Sequence, residues 1–172
     1  MKNNDFVLTI DDVFSLNECK NIINDYKNKT EKSESDYLNY YYTEIANTPL
    51  MNTVNKKLEP ITSQYVNLYP EVNLTPNKWS FTQMRFKHFK PKCAFGTWHS
   101  ENSLIRSSRV LGVQIYLSDH ECGTEFYNGD VIKSKVGRVT IFPCYFTHTH
   151  RGQVCPENKD RYLLTGYYNY IF

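Results

Sequence analysis

The sequence predicts an α+β domain whose C-terminal half is mainly β and whose N-terminal helices pack on one sheet, and three observations predict it. The chain has 172 residues, which suits one domain. Hydrophobic residues make up 40% and aromatic residues 15%, enough bulky apolar surface for a packed core. Helical spacing is confined to 1–78, whereas 79–172 breaks into short runs rich in Val, Ile, Tyr, Phe and Thr, divided by Gly, Pro, Asn or Asp.

Phe6 to Ile10 reads as a short strand. Ser15-Leu-Asn-Glu18 follows in the form in which a serine hydroxyl and a glutamate satisfy each other's free amides at a helix start. Leu16, Cys19, Ile23 and Tyr26 then recur at three- and four-residue steps, with Lys20, Asn24 and Lys27 on the wet face. The stretch from Lys27 to Asp36 is polar, and Tyr40-Tyr41-Tyr42 reads as an aromatic strand. Thr48-Pro49 offers a cap and a first-turn proline to a second helix carrying Leu50, Val54, Leu58, Ile61, Tyr65 and Leu68, expected to kink or split at Pro60. Strands are expected at Trp79–Phe89, Arg109–Leu117, Thr124–Tyr127, Gly137–Phe142 and Arg161–Ile171. Many short strands with turn signals between them suggest an antiparallel sandwich or barrel such as a jelly roll. No internal repeat or low-complexity segment interrupts the pattern.

Charge and composition exclude several classes. With 20 Lys+Arg against 18 Asp+Glu, the formal charge is +2 and dispersed, so no nucleic-acid partner is expected. No apolar run approaches the ~18–20 residues that span a bilayer, so the expectation is a soluble, cytoplasmic protein without a membrane partner. The five cysteines, Cys19, Cys93, Cys122, Cys144 and Cys155, are odd in number and lack a CxxC pair. That disfavours a disulfide framework or a zinc cage, and they are read as reduced filler.

The chemistry-bearing residues lie in the β half. His99 and Glu101 in Trp98-His-Ser-Glu101 are two apart and share a face of an extended chain, so both can grip one ion. Alone the pair is weak, since chance produces one in roughly half of chains with five histidines and 18 acidic residues among 172. Downstream, Thr147-His148-Thr149-His150-Arg151-Gly152 offers a third ligand from His148 or His150. Two histidines and one carboxylate on one side of a metal leave open positions, the arrangement of non-haem Fe(II) oxygenases. Arg161 supplies a planar fork for a carboxylate, and by alternation Arg161, Leu163, Thr165 and Tyr167 share a face.

With His99-Ser-Glu101, His150 and Arg161-Tyr-Leu-Leu-Thr165-Gly-Tyr in order, the chain resembles the Fe(II)- and 2-oxoglutarate-dependent dioxygenases, specifically the prolyl 4-hydroxylase-like branch, over Trp79 to Phe172. Gln114-Ile-Tyr116-Leu-Ser resembles the strand whose tyrosine contacts 2-oxoglutarate. Cys122-Gly123-Thr124-Glu-Phe126 is similar to a glycine-rich turn, and Gly137-Arg-Val-Thr-Ile-Phe142-Pro143 to the strand before the second histidine. WHSEN and THTHRG look most like small phage-encoded members, which would place the protein in a host cytoplasm.

The resemblance implies a double-stranded β-helix, with His99, Glu101 and His150 as metal ligands and Arg161, Tyr116 and Thr165 as cosubstrate contacts. It implies Fe(II), 2-oxoglutarate and O2, with ascorbate as an accessory. The implied reaction is hydroxylation of an unactivated C–H bond, most naturally of a prolyl residue in a peptide or protein, with release of succinate and CO2. A free amino acid or small metabolite is the alternative substrate, and a non-catalytic metal-binding jelly roll the alternative role. The protein is expected to be a monomer or weak homodimer. The family's ligand precedes a short polar connector, which favours His150 over His148. Nucleic-acid demethylation is disfavoured because its second arginine falls here on Tyr167.

The chain departs from the family in three places. Glu101 stands where most members have Asp, and Cys122 replaces a glycine. Phe89 occupies a position where many have a tyrosine, so Tyr116 or Thr165 must supply that hydrogen bond. Other residues have ordinary readings beside functional ones: His88 and His120 as solvated histidines, Lys87, Lys90 and Lys92 as a wet edge with steering of an anionic substrate as the alternative, and Arg106 and Arg109 as candidates to face substrate, with Arg109, which opens a strand, more simply read as solvated.

Overall fold

The ends of the first helix are set locally. In the computed structural model, which describes residues 5–33 and 40–171, the Ser15 hydroxyl accepts from the Glu18 amide at 3.2 Å and the Glu18 carboxylate accepts from the Ser15 amide at 2.8 Å. The start of the sequence at 1–4, the end of the polar stretch at 34–36 and Phe172 lie outside the described residues. Helix α1 (Leu16–Tyr26) buries Cys19 and Ile22, while Leu16 is 54% exposed. Ile23 and Tyr26 pack partly buried on the same core, so of the Leu16, Cys19, Ile23 and Tyr26 stripe that spacing suggested only Leu16 stays outside, and Ile22 joins it.

Helix α2 (Pro49–Leu68) starts where Thr48 Oγ1 accepts from the Met51 amide at 3.2 Å. It runs unbroken through Pro60, which corrects the expected split. Pro60 faces solvent, where water can satisfy the carbonyl it leaves unbonded. Met51, Val54, Leu58, Ile61 and Tyr65 are buried on either side of it and hold both halves against the sheet.

The strands in chain order are β1 (Leu8–Ile10), β2 (Glu31–Lys32), β3 (Tyr41–Glu44), β4 (Trp79–Phe89), β5 (Arg109–Tyr116), β6 (Gly123–Phe126), β7 (Val131–Lys133), β8 (Val139–Pro143), β9 (His150–Gly152) and β10 (Arg161–Tyr170). They form an antiparallel seven-stranded sheet in the order β1-β8-β5-β10-β4-β3-β2 and a three-stranded sheet in the order β7-β6-β9. This is the jelly-roll arrangement expected of a double-stranded β-helix. Strands β7 and β9 have three residues each, too few to show a periodicity in sequence. Strand β8 begins at Val139 because Gly137 takes φ +78°, and a Cβ there would meet the Phe14 carbonyl oxygen at 2.0 Å.

Each long central strand has two covered faces. Met84, Phe86, Val113, Ile141 and Leu164 join Val54, Leu58 and Ile61 of α2 and Cys19 and Ile22 of α1 in one core, so the helices cover one face of the large sheet. Each fully buried Leu, Ile or Phe there contributes about 1.5–3 kcal/mol. The opposite faces of β4, β5 and β10 meet the small sheet, and between the sheets lie Lys87, Phe89, Gln114, Tyr116, Arg161, Leu163 and Thr165. No helix among the described residues is long and apolar enough to cross a membrane.

Candidate active site

His99 lies between β4 and β5, and His150 opens β9. Each amide donates to the other's carbonyl, His99 to His150 at 3.0 Å and His150 to His99 at 2.9 Å, which sets the ring centroids 4.5 Å apart. His99 Nδ1 is 2.8 Å from the Thr97 carbonyl and His150 Nδ1 is 2.9 Å from the His148 carbonyl. A carbonyl only accepts, so both Nδ1 atoms carry protons and both Nε2 atoms present lone pairs. These face Glu101 Oε1 at 3.5 and 3.6 Å. Phe95 packs on His99 at 4.1 Å, and Phe142 on His150 at 4.9 Å, fixing the rings.

Glu101 Oε2 is held from the other side, accepting from the Tyr167 hydroxyl at 2.8 Å and from Arg109 Nη1 at 3.0 Å. The charge of the nearby Lys87 ammonium also favours the ionised carboxylate. His99, Glu101 and His150 therefore offer two nitrogens and one carboxylate oxygen, all within 4.8 Å of one another. That donor set suits a first-row divalent ion such as iron.

Beside it, β10 supplies two incompletely satisfied groups. Arg161 is 4% and Thr165 2% exposed; Arg161 Nη1 donates to Cys122 Sγ at 3.3 Å, but Arg161 Nε and Thr165 Oγ1 are buried without a hydrogen-bond partner among the described residues. A buried guanidinium without an anion is costly, so this pair fits a carboxylate. Phe89 covers Arg161, its ring 4.8 Å from the guanidinium. Tyr116 is tied to its neighbours, donating to Gln114 Oε1 at 2.7 Å and lying 2.8 Å from Thr124 Oγ1, and burial raises its hydroxyl to about 12.

Sequence reasoning missed several residues here. Arg109, read as solvated, is 2% exposed, pairs with Glu101 and stacks 3.4 Å from the Tyr167 ring centre. Register shifts explain it: β10 pairs Tyr168 with Leu111 but Asn169 with Arg109, and Tyr167 with Gln83 but Tyr168 with Phe81. Such bulges re-aim side chains, here bringing Gln83 to within 2.9 Å of Arg109 Nη2. Tyr167 had a legible signal, since alternation already placed it on the Arg161 face. Lys87 is not a wet edge, because β4 is flanked by β3 and β10; it is 8% exposed in the site, and burial lowers its ammonium to about 8.

The alternative ligand His148 lies outside the cluster, with Nε2 2.6 Å from the Asp5 carbonyl and Nδ1 2.9 Å from Thr147 Oγ1. His88 is not solvated but pairs with Asp160 at 2.7 Å and stacks on Tyr162 at 4.6 Å. His120 is buried, 5% exposed. Two of the cysteines read as filler, Cys122 and Cys155, are brought together, with Cα atoms 5.0 Å apart and their sulfurs adjacent; their 33-residue separation hid a contact that the β6–β9 pairing creates.

No protein-family model matches the sequence, and no curated protein matches it. Among solved structures it is similar to the viral collagen prolyl hydroxylase of Paramecium Bursaria Chlorella virus-1 in its 2OG complex, at 20% identity and a TM-score of 0.75 over 98% of each chain. A Pseudomonas putida prolyl-4-hydroxylase is similar at 10% identity and a TM-score of 0.74 over 98% of this chain and 95% of that one. A Trichoplax adhaerens prolyl hydroxylase in complex with a hypoxia inducible factor oxygen degradation domain peptide fragment aligns at 14% identity and a TM-score of 0.72, covering 97% and 84%. The chain therefore has the double-stranded β-helix fold of the prolyl hydroxylases and other 2OG-Fe(II) oxygenases.

Proposed function

We propose that the protein is an Fe(II)- and 2-oxoglutarate-dependent dioxygenase that hydroxylates a prolyl residue in a peptide or protein. The observation that carries the reading is the placement of a His, Glu, His donor set next to a buried arginine whose Nε has no hydrogen-bond partner among the described residues. His99 Nε2, His150 Nε2 and Glu101 Oε1 would hold the iron, and Arg161 with Thr165 would hold the far carboxylate of 2-oxoglutarate. Bound together, iron and cosubstrate supply the oxidising chemistry that no amino-acid side chain provides.

The protein's own residues orient and enclose. Arg109 and Tyr167 anchor Glu101 Oε2, so that Oε1 alone faces the histidines. Phe89, Phe95 and Leu163 line the space beside Arg161 and Thr165 with apolar surface, which favours the charge pairing that a carboxylate would make there. The prolyl assignment is supported by the likeness to prolyl hydroxylases, one of them carrying a peptide.

The test is an anaerobic titration of the metal-free protein with Fe(II) and 2-oxoglutarate, following the weak visible charge-transfer band of the chelate. The band is expected in the native protein. In Arg161→Ala the 2-oxoglutarate requirement should rise by about 10- to 100-fold or more, as expected for a lost charge-assisted pair, with the iron requirement little changed. Equal losses in both would count against the anchor role, and no band in folded native protein would overturn the oxygenase reading.

A further inference from the structure

A second set of ligand atoms converges behind Arg161. His120 lies after β5, Cys122 just before β6, and Cys155 and Glu157 in the connection from β9 to β10. One imidazole nitrogen, two sulfurs and one carboxylate oxygen lie within 4.8 Å of one another, with His120, Cys122 and Cys155 buried and Glu157 partly so. A disulfide between the cysteines accounts for only half of the cluster. It leaves His120 Nδ1 and Glu157 Oε2 3.8 Å apart, both buried and both without a hydrogen-bond partner among the described residues.

Both orphaned atoms are aimed by backbone groups. His120 Nε2 lies 3.0 Å from the Asp160 carbonyl, which only accepts, so Nε2 carries the proton and Nδ1 turns a lone pair to the cluster. Glu157 Oε1 accepts from the Glu121 amide at 2.7 Å, which leaves Oε2 for the cluster. Support on the far side of an imidazole and of a carboxylate is how metal ligands are held. Two lone pairs facing each other in a buried space repel unless a cation lies between them. A tetrahedral zinc site with bonds of ~2.0–2.3 Å spaces its donor atoms ~3.3–3.8 Å apart.

We propose that, in the reduced protein, His120, Cys122, Cys155 and Glu157 hold a zinc ion. Two thiolates, an imidazole and a carboxylate suit zinc, and four protein ligands leave no open position, so the ion is structural. As it binds, the two thiols release their protons to solvent and no oxidant is consumed. The ion ties the start of β6 to the connection that leads into β10. Arg161 Nη1 lies 3.3 Å from Cys122 Sγ, so the zinc thiolate also helps to hold the arginine in place. The site shares no ligand with the His99, Glu101 and His150 cluster and stands whether or not the oxygenase reading holds.

The test uses the full chain, purified without chelator from zinc-containing medium, with zinc measured by elemental mass spectrometry. Cysteines are alkylated in denaturant without reductant and counted from the intact mass. The expected result is about one zinc per chain, retained in His99→Ala and lost in Cys155→Ser, with all five cysteines alkylated. A second measurement needs no variant: Co(II) added to the reduced, metal-free native protein should give a near-ultraviolet thiolate-to-cobalt band, which the sulfur-free His, Glu, His cluster cannot produce. Alkylation of only three cysteines without zinc would show a disulfide staple and overturn the proposal. Five alkylated cysteines with neither zinc nor the cobalt band would overturn it too.

Discussion

At Glu101 the two carboxylate oxygens face different partners, the histidines on one side and Tyr167 with Arg109 on the other. Burial, and then the Glu101 charge, raise the Tyr167 hydroxyl well above its ordinary range, so it stays protonated as a donor. Tyr167→Phe removes that donor and keeps the ring against Arg109. Iron affinity is expected to fall about 10- to 100-fold, as for other groups that orient metal ligands, in an anaerobic Fe(II) titration. Arg109→Met differs in kind, because it leaves a buried carboxylate without its cation. Metal-free protein should then lose about 3–5 kcal/mol in urea unfolding, and an unchanged midpoint would show that Arg109 is not the counter-charge.

At the scale of elements, short tethers hold the strands and helices in register. Asp11, just past β1, accepts from Arg138 Nε at 2.7 Å and from Lys135 Nζ at 2.9 Å, pinning the approach to α1 against the approach to β8. Hydrogen bonds from Arg138 and Lys135 lower the Asp11 carboxyl from 3.8 to about 2. The folded form therefore binds this proton less readily than the unfolded chain. Its stabilisation is complete above about pH 4 and is lost as pH falls toward about 2. Because Asp11 is 37% exposed, the effect is modest and weakened by salt. Asp11→Asn should flatten the pH dependence of unfolding in that window and leave the slope elsewhere unchanged; an identical acid limb in variant and native protein would rule the tether out.

At the scale of the whole molecule, the site is assembled from parts far apart in sequence. His150 belongs to the small sheet, Arg161 and Thr165 to the large one, and His99 and Glu101 to the connection between β4 and β5. Ligands that bridge these parts bind only the folded protein. At 100 times the dissociation constant they stabilise it by about 2.7 kcal/mol, or roughly 5–10 °C in Tm for a chain of this size. Melting under argon with Mn(II) as a redox-inert substitute should rise by about that much, and again with 2-oxoglutarate. Arg161→Ala should keep the metal increment and lose the second; equal second increments in both proteins would place the cosubstrate elsewhere.

Local physics alone placed much of this protein. The Ser15 and Thr48 caps, the strand from Trp79 to Phe89 and the alternation that puts Arg161, Thr165 and Tyr167 on one face depend on neighbours a few residues away, so they are legible in the sequence. The pairing of His99 with Glu101 is legible for the same reason, as two residues apart on an extended chain share a face. Tertiary structure decided the rest. Arg109 enters the site because register shifts turn it inward, Lys87 is buried because β4 is an interior strand, and Pro60 is tolerated because it faces water while its neighbours pack. His120, Cys122, Cys155 and Glu157 meet only after β6 pairs with β9. Their contacts arise from sheet pairing between distant segments, which no local periodicity records.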